Sequence, residues 1–130
     1  HKANPAAPVF LYVGGEGPLS PPSSNFVLDF VPQVGALFFA VEHRYYGCHN
    51  SSSCPYNSSQ PHAKHLRFLS SQQALEDLAF FHEFATKQYA LGEGRKWVLW
   101  GGSYPGMLAA WGRALYPAKF HAAVASSAPV

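Results

Sequence analysis

Short, continuously apolar runs recur along the chain and alternate with segments of helical spacing. The runs cover residues 9–13 (VFLYV), 36–42 (ALFFAVE), 96–100 (KWVLW) and 121–128 (HAAVASSA). A strand that is covered on both faces has this composition, because neither face alternates with polar residues as a solvent-facing strand does. The runs therefore predict four strands of a parallel sheet.

Two segments between the runs predict helices. Residues 70–90 begin with Ser70 and Gln73 at the spacing of a capping box. The apolar face of this helix is formed by Leu75, Leu78, Ala79 and His82. The shorter segment NFVLDFV has Ser24 as its cap, and we expect Pro32 to end it.

A third helix is predicted from about Tyr104 to Tyr116, directly before a proline. Its apolar stripe consists of Leu108, Trp111 and Leu115, and Gly112 allows it to lie close to the sheet. Strands and helices alternate along the chain, which predicts an α/β fold with right-handed crossovers. Only the segment from about residue 47 to 68 is long, polar and irregular.

Composition favours one packed domain and excludes several functions. Of the 130 residues 48% are hydrophobic and only 12% are charged, which is too little charge for a disordered chain. The net charge is +2 and the nine Lys/Arg are spread along the chain, so no basic stripe predicts nucleic-acid binding. No apolar run approaches the ~20 residues of a membrane span. The N-terminus lacks the layout of a signal peptide, so we expect a start cut from something longer or already processed.

Cys48 and Cys54 lie close together in the irregular loop, which also holds the glycosylation acceptors Asn50 and Asn57, each in an Asn-Ser-Ser sequence. A short-range disulfide and two such acceptors are typical of a protein on the secretory route. The alternative is a pair of free cysteines and acceptor sequences that arise by chance in a Ser-rich loop.

The same loop raises the question of a zinc site. His49, His62 and His65 have spacings that a metal accepts, but with the cysteines they form no regular pattern of two ligand pairs. We therefore expect no metal, and we expect no other cofactor.

Ser103 stands in the sequence GGSYPG (101–106), between the third apolar run and the third predicted helix. A strand, a glycine turn and a helix raise a serine hydroxyl above the edge of a sheet, as in the G-x-S-x-G elbow of hydrolases. The helix N-terminus also favours a developing oxyanion. Here Pro105 takes the place of the last glycine, which restricts Tyr104 and puts the geometry of the elbow in question.

A second glycine pair, Gly14 and Gly15, directly follows the first predicted strand. Hydrolases with this order of elements supply the second oxyanion N–H from that loop. The alternative is an ordinary glycine turn.

At this point the sequence resembles a family. VFLYVGGEG, AVEHRYYG, LRFLSSQQALEDLAFF, GGSYPGMLAAWGRALYP and AVASSAPV are similar, in order and spacing, to the serine peptidases that comprise lysosomal Pro-X carboxypeptidase, dipeptidyl peptidase II and thymus-specific serine protease. The similarity covers most of the chain, and GGEG, RFLSSQ and ASSAPV favour the thymus-specific branch. It implies an α/β-hydrolase core with a mostly parallel sheet and flanking helices, into which a helical domain absent from this chain is inserted.

The resemblance also implies a function and its residues. The function is a serine exopeptidase that cleaves next to proline or another small residue at a peptide terminus, as a carboxypeptidase or a dipeptidyl peptidase. Ser103 is the implied nucleophile and Tyr104 N–H an implied oxyanion donor, while Met107 lines the substrate pocket unless it merely fills the core. Glu42 and Arg44 in the family block EHRYYG orient a peptide terminus or, as we favour, form a structural pair.

The acid and base of a triad are missing from these residues. Hydrolases of this fold supply them after the serine in the order Ser, Asp, His. Only 27 residues follow Ser103; they contain no Asp or Glu, and their one histidine, His121, starts the last predicted strand at the wrong end of the sheet. We expect the acid and base beyond Val130, so residues 1–130 form a partial catalytic domain, truncated after the strand that follows the nucleophile helix and inactive in isolation.

Further expectations concern the setting of the protein. We expect a peptide substrate and a lysosomal or secreted location, and a homodimer of the full-length protein is left open. Two alternatives remain: a lipase or esterase on the same core, which EHRYYG and SSQQALEDLAFF disfavour, and a non-catalytic α/β-hydrolase-like binding protein that retains Ser103, for which Pro105 is the one local hint.

Overall fold

The computed structural model describes residues 4, 6–20, 26–47, 64, 66–92 and 94–129. Within these residues four strands form one sheet: β1 (Val9–Val13), β2 (Leu37–Val41), β3 (Trp97–Gly102) and β4 (Ala122–Ser126). The helices are α1 (Phe26–Val34), α2 (Ser71–Gln88) and α3 (Tyr104–Leu115). The strand order is β2-β1-β3-β4, and every neighbouring pair is parallel. The predicted α/β fold and its four strands are confirmed.

Helices cover both faces of the sheet. On one face α2 and α3 pack against Leu11, Leu99 and Trp97, which are almost fully buried. On the other face α1 buries Val27 against Phe10 and the ring of Trp100. Right-handed crossovers require this division, because the chain moves in one direction across the sheet from β1 to β2 and in the opposite direction from β2 to β4. Strands covered on both faces explain why their sequences lack polar alternation.

The strand order places a topological switch point between β1 and β3. The chain leaves β1 for β2 on one side and then returns to β3 on the other side of β1. The loops after β1 and β3 therefore diverge at the carboxyl edge of the sheet, which is where open α/β sheets bind ligands. These loops contain Gly14 and Gly15 after β1 and Ser103 after β3.

The end of α1 differs from the prediction. Pro32 lies inside this helix instead of ending it, and the helix continues to Val34. The end comes at Gly35, whose φ of +64° is the left-handed conformation that commonly closes a helix. Packing of α1 on the sheet offsets the hydrogen bond that a proline cannot donate, since tertiary contacts supply most of the stability of a short helix.

The start of α2 follows half of the predicted capping box. The Ser70 side chain accepts a hydrogen bond from the Gln73 N–H at 3.3 Å. The Gln73 side chain does not complete the box, because its Oε1 accepts from Arg44 Nη1 at 3.2 Å. The Arg44 guanidinium, which is distant in sequence, therefore binds the Gln73 oxygen that the capping-box pattern assigned to the helix cap.

The buried face of α3 was predicted wrongly. Trp111 and Leu115 are 39% and 62% exposed, although Leu108 is buried. The helix instead buries the following small or apolar residues: Pro105, Gly106, Leu108, Ala109 and Gly112. A Cβ on Gly112 would lie only 2.9 Å from Leu99 Cδ1, so the predicted close approach of Gly112 to the sheet is confirmed. The helix turns its smallest side chains to the strands, which leaves the larger ones at its flank.

Within the described ranges, no helix has the length and apolar character needed to cross a bilayer. The loop with Cys48, Cys54, Asn50 and Asn57 lies outside the described residues, as do the three histidines of the rejected zinc site.

Candidate active site

Ser103 occupies the junction between β3 and α3 in a conformation that few non-glycine residues adopt. Its φ is +58° and its ψ is −131°, and the residue is exposed at the carboxyl edge of the sheet. Such a conformation costs about 1–3 kcal/mol, so the surrounding structure must hold it. The Ser103 N–H donates to the Ser126 carbonyl at 2.9 Å, and the Ser103 carbonyl accepts from the Gly106 N–H at 2.8 Å. Backbone contacts on both sides therefore hold the strained turn.

The glycines around Ser103 are required by close packing of the backbone. A Cβ on Gly101 would lie 2.1 Å from the Pro105 carbonyl oxygen. A Cβ on Gly106 would lie 3.1 Å from both the Ser126 carbonyl oxygen and the Cβ of Ala128. Real Cβ atoms do not tolerate the first of these distances, so the tight strand–turn–helix junction depends on glycine.

Pro105 fits into the first turn of α3, and Tyr104 is the first helical residue. A proline in the first turn removes no intrahelical hydrogen bond, because N–H groups there have no acceptor within the helix. Its ring also packs against the other glycine loop: a Cβ on Gly15 would lie 2.6 Å from Pro105 Cγ. The substitution for the usual glycine therefore leaves the elbow intact and joins it to the loop after β1.

The two candidate oxyanion donors are Tyr104, within the elbow, and Gly15, in the loop that packs against Pro105 of the elbow. Tyr104 follows Ser103 directly at the positive end of the α3 dipole, where N–H groups point outward. Gly15 approaches from β1, and the preceding Gly14 N–H is anchored on the Val41 carbonyl at 2.8 Å. Met107 lies one turn further along α3 and is half-buried, with its N–H on the Ser103 carbonyl at 3.2 Å.

Glu42 ties two loops together at this edge. Its Oε2 accepts a hydrogen bond from the Leu19 N–H at 2.9 Å. A Cβ on Gly47 would lie within 2.1 Å of three atoms of the Glu42 carboxyl group, so a larger residue there would displace this carboxylate. The carboxylate joins the loop after β1 to the loop after β2.

Arg44 binds Asp77 of α2 rather than Glu42. Its Nε and Nη2 each donate to one carboxylate oxygen of Asp77 at 2.6 Å. Its Nη1 donates to Gln73 Oε1 and to the Phe68 carbonyl, each at 3.2 Å. These hydrogen bonds to Asp77 raise the pKa of the Arg44 guanidinium, although burial opposes the effect. All three guanidinium nitrogens therefore hold the loop after β2 against α2, and the predicted pairing with Glu42 is wrong.

His43 reaches the elbow from the same loop and is buried, with 6% of its surface exposed. Its Nδ1 lies 2.8 Å from the Arg44 carbonyl oxygen, which can only accept, so Nδ1 carries the proton of this hydrogen bond. In the neutral ring Nε2 then accepts from the Tyr104 hydroxyl at 3.0 Å. Burial raises the pKa of the Tyr104 phenol, and nearby Tyr46 and Glu16 add to the rise, so this hydroxyl stays a donor.

Sequence reasoning assigned no role to His43, Asp77 or Ser126. The first two lie in the family blocks EHRYYG and SSQQALEDLAFF, but neither block indicates its partner 61 or 33 positions away. His121 lies at the start of β4, where its N–H donates to the Trp97 carbonyl at the opposite edge of the sheet from Ser103. Among the described residues no group of three His, Cys, Asp or Glu side chains could hold a metal ion.

The sequence of the chain is similar to that of a known protein family. The family model described as serine carboxypeptidase S28 matches residues 1–130. Prolyl carboxy peptidase like protein 5 of Caenorhabditis elegans is 42% identical over 127 residues, covering 95% of this chain and 24% of the relative. Thymus-specific serine protease of Homo sapiens is 39% identical over 132 residues, covering 100% and 24%. Lysosomal Pro-X carboxypeptidase of Homo sapiens is 37% identical over 125 residues, covering 94% and 24%.

These similarities confirm the resemblance that the sequence blocks predict. The chain spans about a quarter of the length of the curated relatives it matches. The identities to the thymus-specific and Pro-X relatives differ by too little to separate the two branches, so the lean to the thymus-specific branch stays a prediction.

Proposed function

Because the chain belongs to the serine carboxypeptidase S28 family, we propose that the full-length protein is a serine exopeptidase with Ser103 as its nucleophile. The observation that carries the proposal is the strained turn of Ser103 at the switch point of the sheet. Strain of this size persists where function requires it, and here it exposes the hydroxyl beside two candidate oxyanion donors.

In this proposal Ser103 Oγ attacks the carbonyl carbon of the scissile peptide bond. A histidine from a later part of the protein, oriented by an aspartate, takes the hydroxyl proton and returns it to the leaving amine. The negative charge that develops on the carbonyl oxygen is stabilised by the N–H groups of Tyr104 and Gly15. Water then attacks the acyl-enzyme and frees the serine. The close packing of Gly15 on Pro105 supports this arrangement, since it brings both loops to one point.

We propose cleavage next to proline or another small residue at a peptide terminus, with Met107 in the pocket for that residue. Its half-buried position one turn from Ser103 supports the assignment. For Glu42 and Arg44 the observed hydrogen bonds support a role in positioning the loops around the site rather than in binding peptide. The similarity to lysosomal Pro-X carboxypeptidase supports carboxypeptidase action, and dipeptidyl peptidase action is the alternative.

We further propose a lysosomal or secreted, glycosylated protein with a disulfide between Cys48 and Cys54. The location in the name of the Pro-X carboxypeptidase relative and the two Asn-Ser-Ser sequences support this setting. No observation within the described residues favours the lipase or binding-protein alternatives, because Pro105 is accommodated in the first turn of α3.

The proposal is tested with the full-length protein and two peptide series. One series carries proline next to the C-terminal residue, and the other carries proline second from a free N-terminus. We expect turnover of one series and none by the Ser103→Ala variant, with Ser71→Ala as a control that removes an equivalent hydroxyl on α2. Equal turnover by Ser103→Ala and the parent, or hydrolysis of esters alone, would contradict the proposal.

A further inference from the structure

A cavity of about 310 Å³ opens at the edge of the sheet opposite Ser103. It is bounded by the start of β3, the segment before β4 and the end of α2. The six residues of β3 separate it from the nucleophile turn by about 20 Å, at roughly 3.3 Å per residue. The proposed peptidase site therefore does not use this cavity.

Basic side chains supply most of the polar groups of its lining, and no carboxylate belongs to the described lining residues. The basic members are His82, Arg95, Lys96, Lys119 and His121. Lys119 forms an ion pair with the exposed Glu83 outside the cavity, which neutralises part of its charge. Arg95 and Lys96 have no such ion pair within the described part of the chain. The described lining therefore carries a net positive charge.

Several buried polar atoms of the lining have no hydrogen-bond partner among the described residues. They are Arg95 Nε, Arg95 Nη1, His82 Nδ1 and Thr86 Oγ1. Arg95 as a whole is half-buried, but the burial of two of its nitrogens without a partner is unfavourable, and folded proteins normally satisfy such atoms. The His82 ring is held by contacts with Trp97 and Phe120, at centroid distances of 4.7 and 5.7 Å, and cannot turn freely to find another acceptor.

We propose that this cavity binds a tetrahedral oxyanion, phosphate or sulfate, either as the free ion or as a monoester. Arg95 and Lys96 supply the positive charge, and Thr86 and His82 supply neutral polar groups next to it. A planar guanidinium matches two oxygens of such an anion with parallel N–H donors. The volume exceeds that of the ion alone, so a small organic group attached to it also fits.

The test uses the full-length protein and isothermal titration calorimetry with inorganic phosphate, inorganic sulfate, glucose 6-phosphate and acetate. We expect saturable binding of the first three and none of acetate at the same concentration. Tighter binding of glucose 6-phosphate than of phosphate identifies the monoester as the preferred source, and equal binding identifies the free ion. Arg95→Gln should weaken phosphate binding about tenfold or more, since one charge-assisted hydrogen bond accounts for that factor.

Matched variants keep the test decisive. Arg67→Gln removes the same charge from an exposed side chain that stacks on Phe68 outside the cavity, and should bind phosphate like the parent. Lys96→Gln changes an exposed residue and provides the binding loss if Arg95→Gln fails to fold. Absence of phosphate binding to the parent, or unchanged binding in the folded Arg95 and Lys96 variants, overturns the proposal.

Discussion

Replacing Gly15 with alanine should disable the proposed oxyanion site while leaving the fold intact. The new Cβ would lie 2.6 Å from Pro105 Cγ and 3.1 Å from Pro105 Cδ. Carbon atoms pack at about 3.5–4.0 Å, so the loop must retreat by about 1 Å from the elbow. A displacement of 1 Å costs about 100-fold in rate, which agrees with the 10²–10³ lost when one oxyanion donor is removed. We expect kcat of the full-length protein to fall about 100-fold, or about 2.7 kcal/mol, with little change in KM.

The matched control for this prediction is Gly17→Ala in the same loop. Apart from its two chain neighbours, no atom of the described residues lies within 4 Å of a Cβ at Gly17, so the added methyl group meets none of them. The assay is steady-state hydrolysis of a prolyl peptide, with thermal unfolding to verify that both variants fold. If Gly15→Ala retains the parent kcat, or if the two variants lose activity equally, the assignment of the Gly15 N–H is refuted.

Three further predictions follow from the described contacts. Arg44→Met should lower the free energy of unfolding, measured by urea denaturation, by about 2 kcal/mol, because Asp77 loses two charge-assisted hydrogen bonds. A raised KM at an unchanged free energy of unfolding would contradict this prediction. Burial, and then Lys119, lower the pKa of His82, so the unfolded chain binds the proton more readily and stability should fall as pH drops below about 6.5. His82→Gln should flatten that slope in denaturation at several pH values. Isolated residues 1–130 should not hydrolyse a prolyl peptide, because losing the acid and base of a triad costs many powers of ten; measurable turnover by the purified segment would refute this.

Local pattern was sufficient for the elements that build the site. The apolar runs located all four strands, and VFLYV has the bounds of β1 as observed. The glycine spacing around Ser103 located the strained turn. This was possible because the strained backbone and the close contacts that require glycine lie within a few neighbouring residues of the chain. The capping serine of α2 was found for the same reason.

Contacts between residues that are far apart in the sequence could not be predicted from local sequence patterns. The family block favoured its own Glu42 as the partner of Arg44, but the guanidinium binds Asp77, which lies 33 positions away in the sequence. Trp111 and Leu115 matched a helical stripe, but the helix packs through smaller residues because Gly112 approaches Leu99. The contact between His43 and Tyr104 depends on how β2 and β3 flank β1, which no single segment encodes.

The most direct test of the central claim is covalent labelling of the full-length protein with a fluorophosphonate, followed by peptide mapping. An activated serine attacks this phosphorus centre, whereas an ordinary hydroxyl does not. The account predicts stoichiometric modification of Ser103, its loss in Ser103→Ala and its retention in Ser71→Ala. Modification at another serine, or no modification of a folded protein, would contradict Ser103 as the nucleophile.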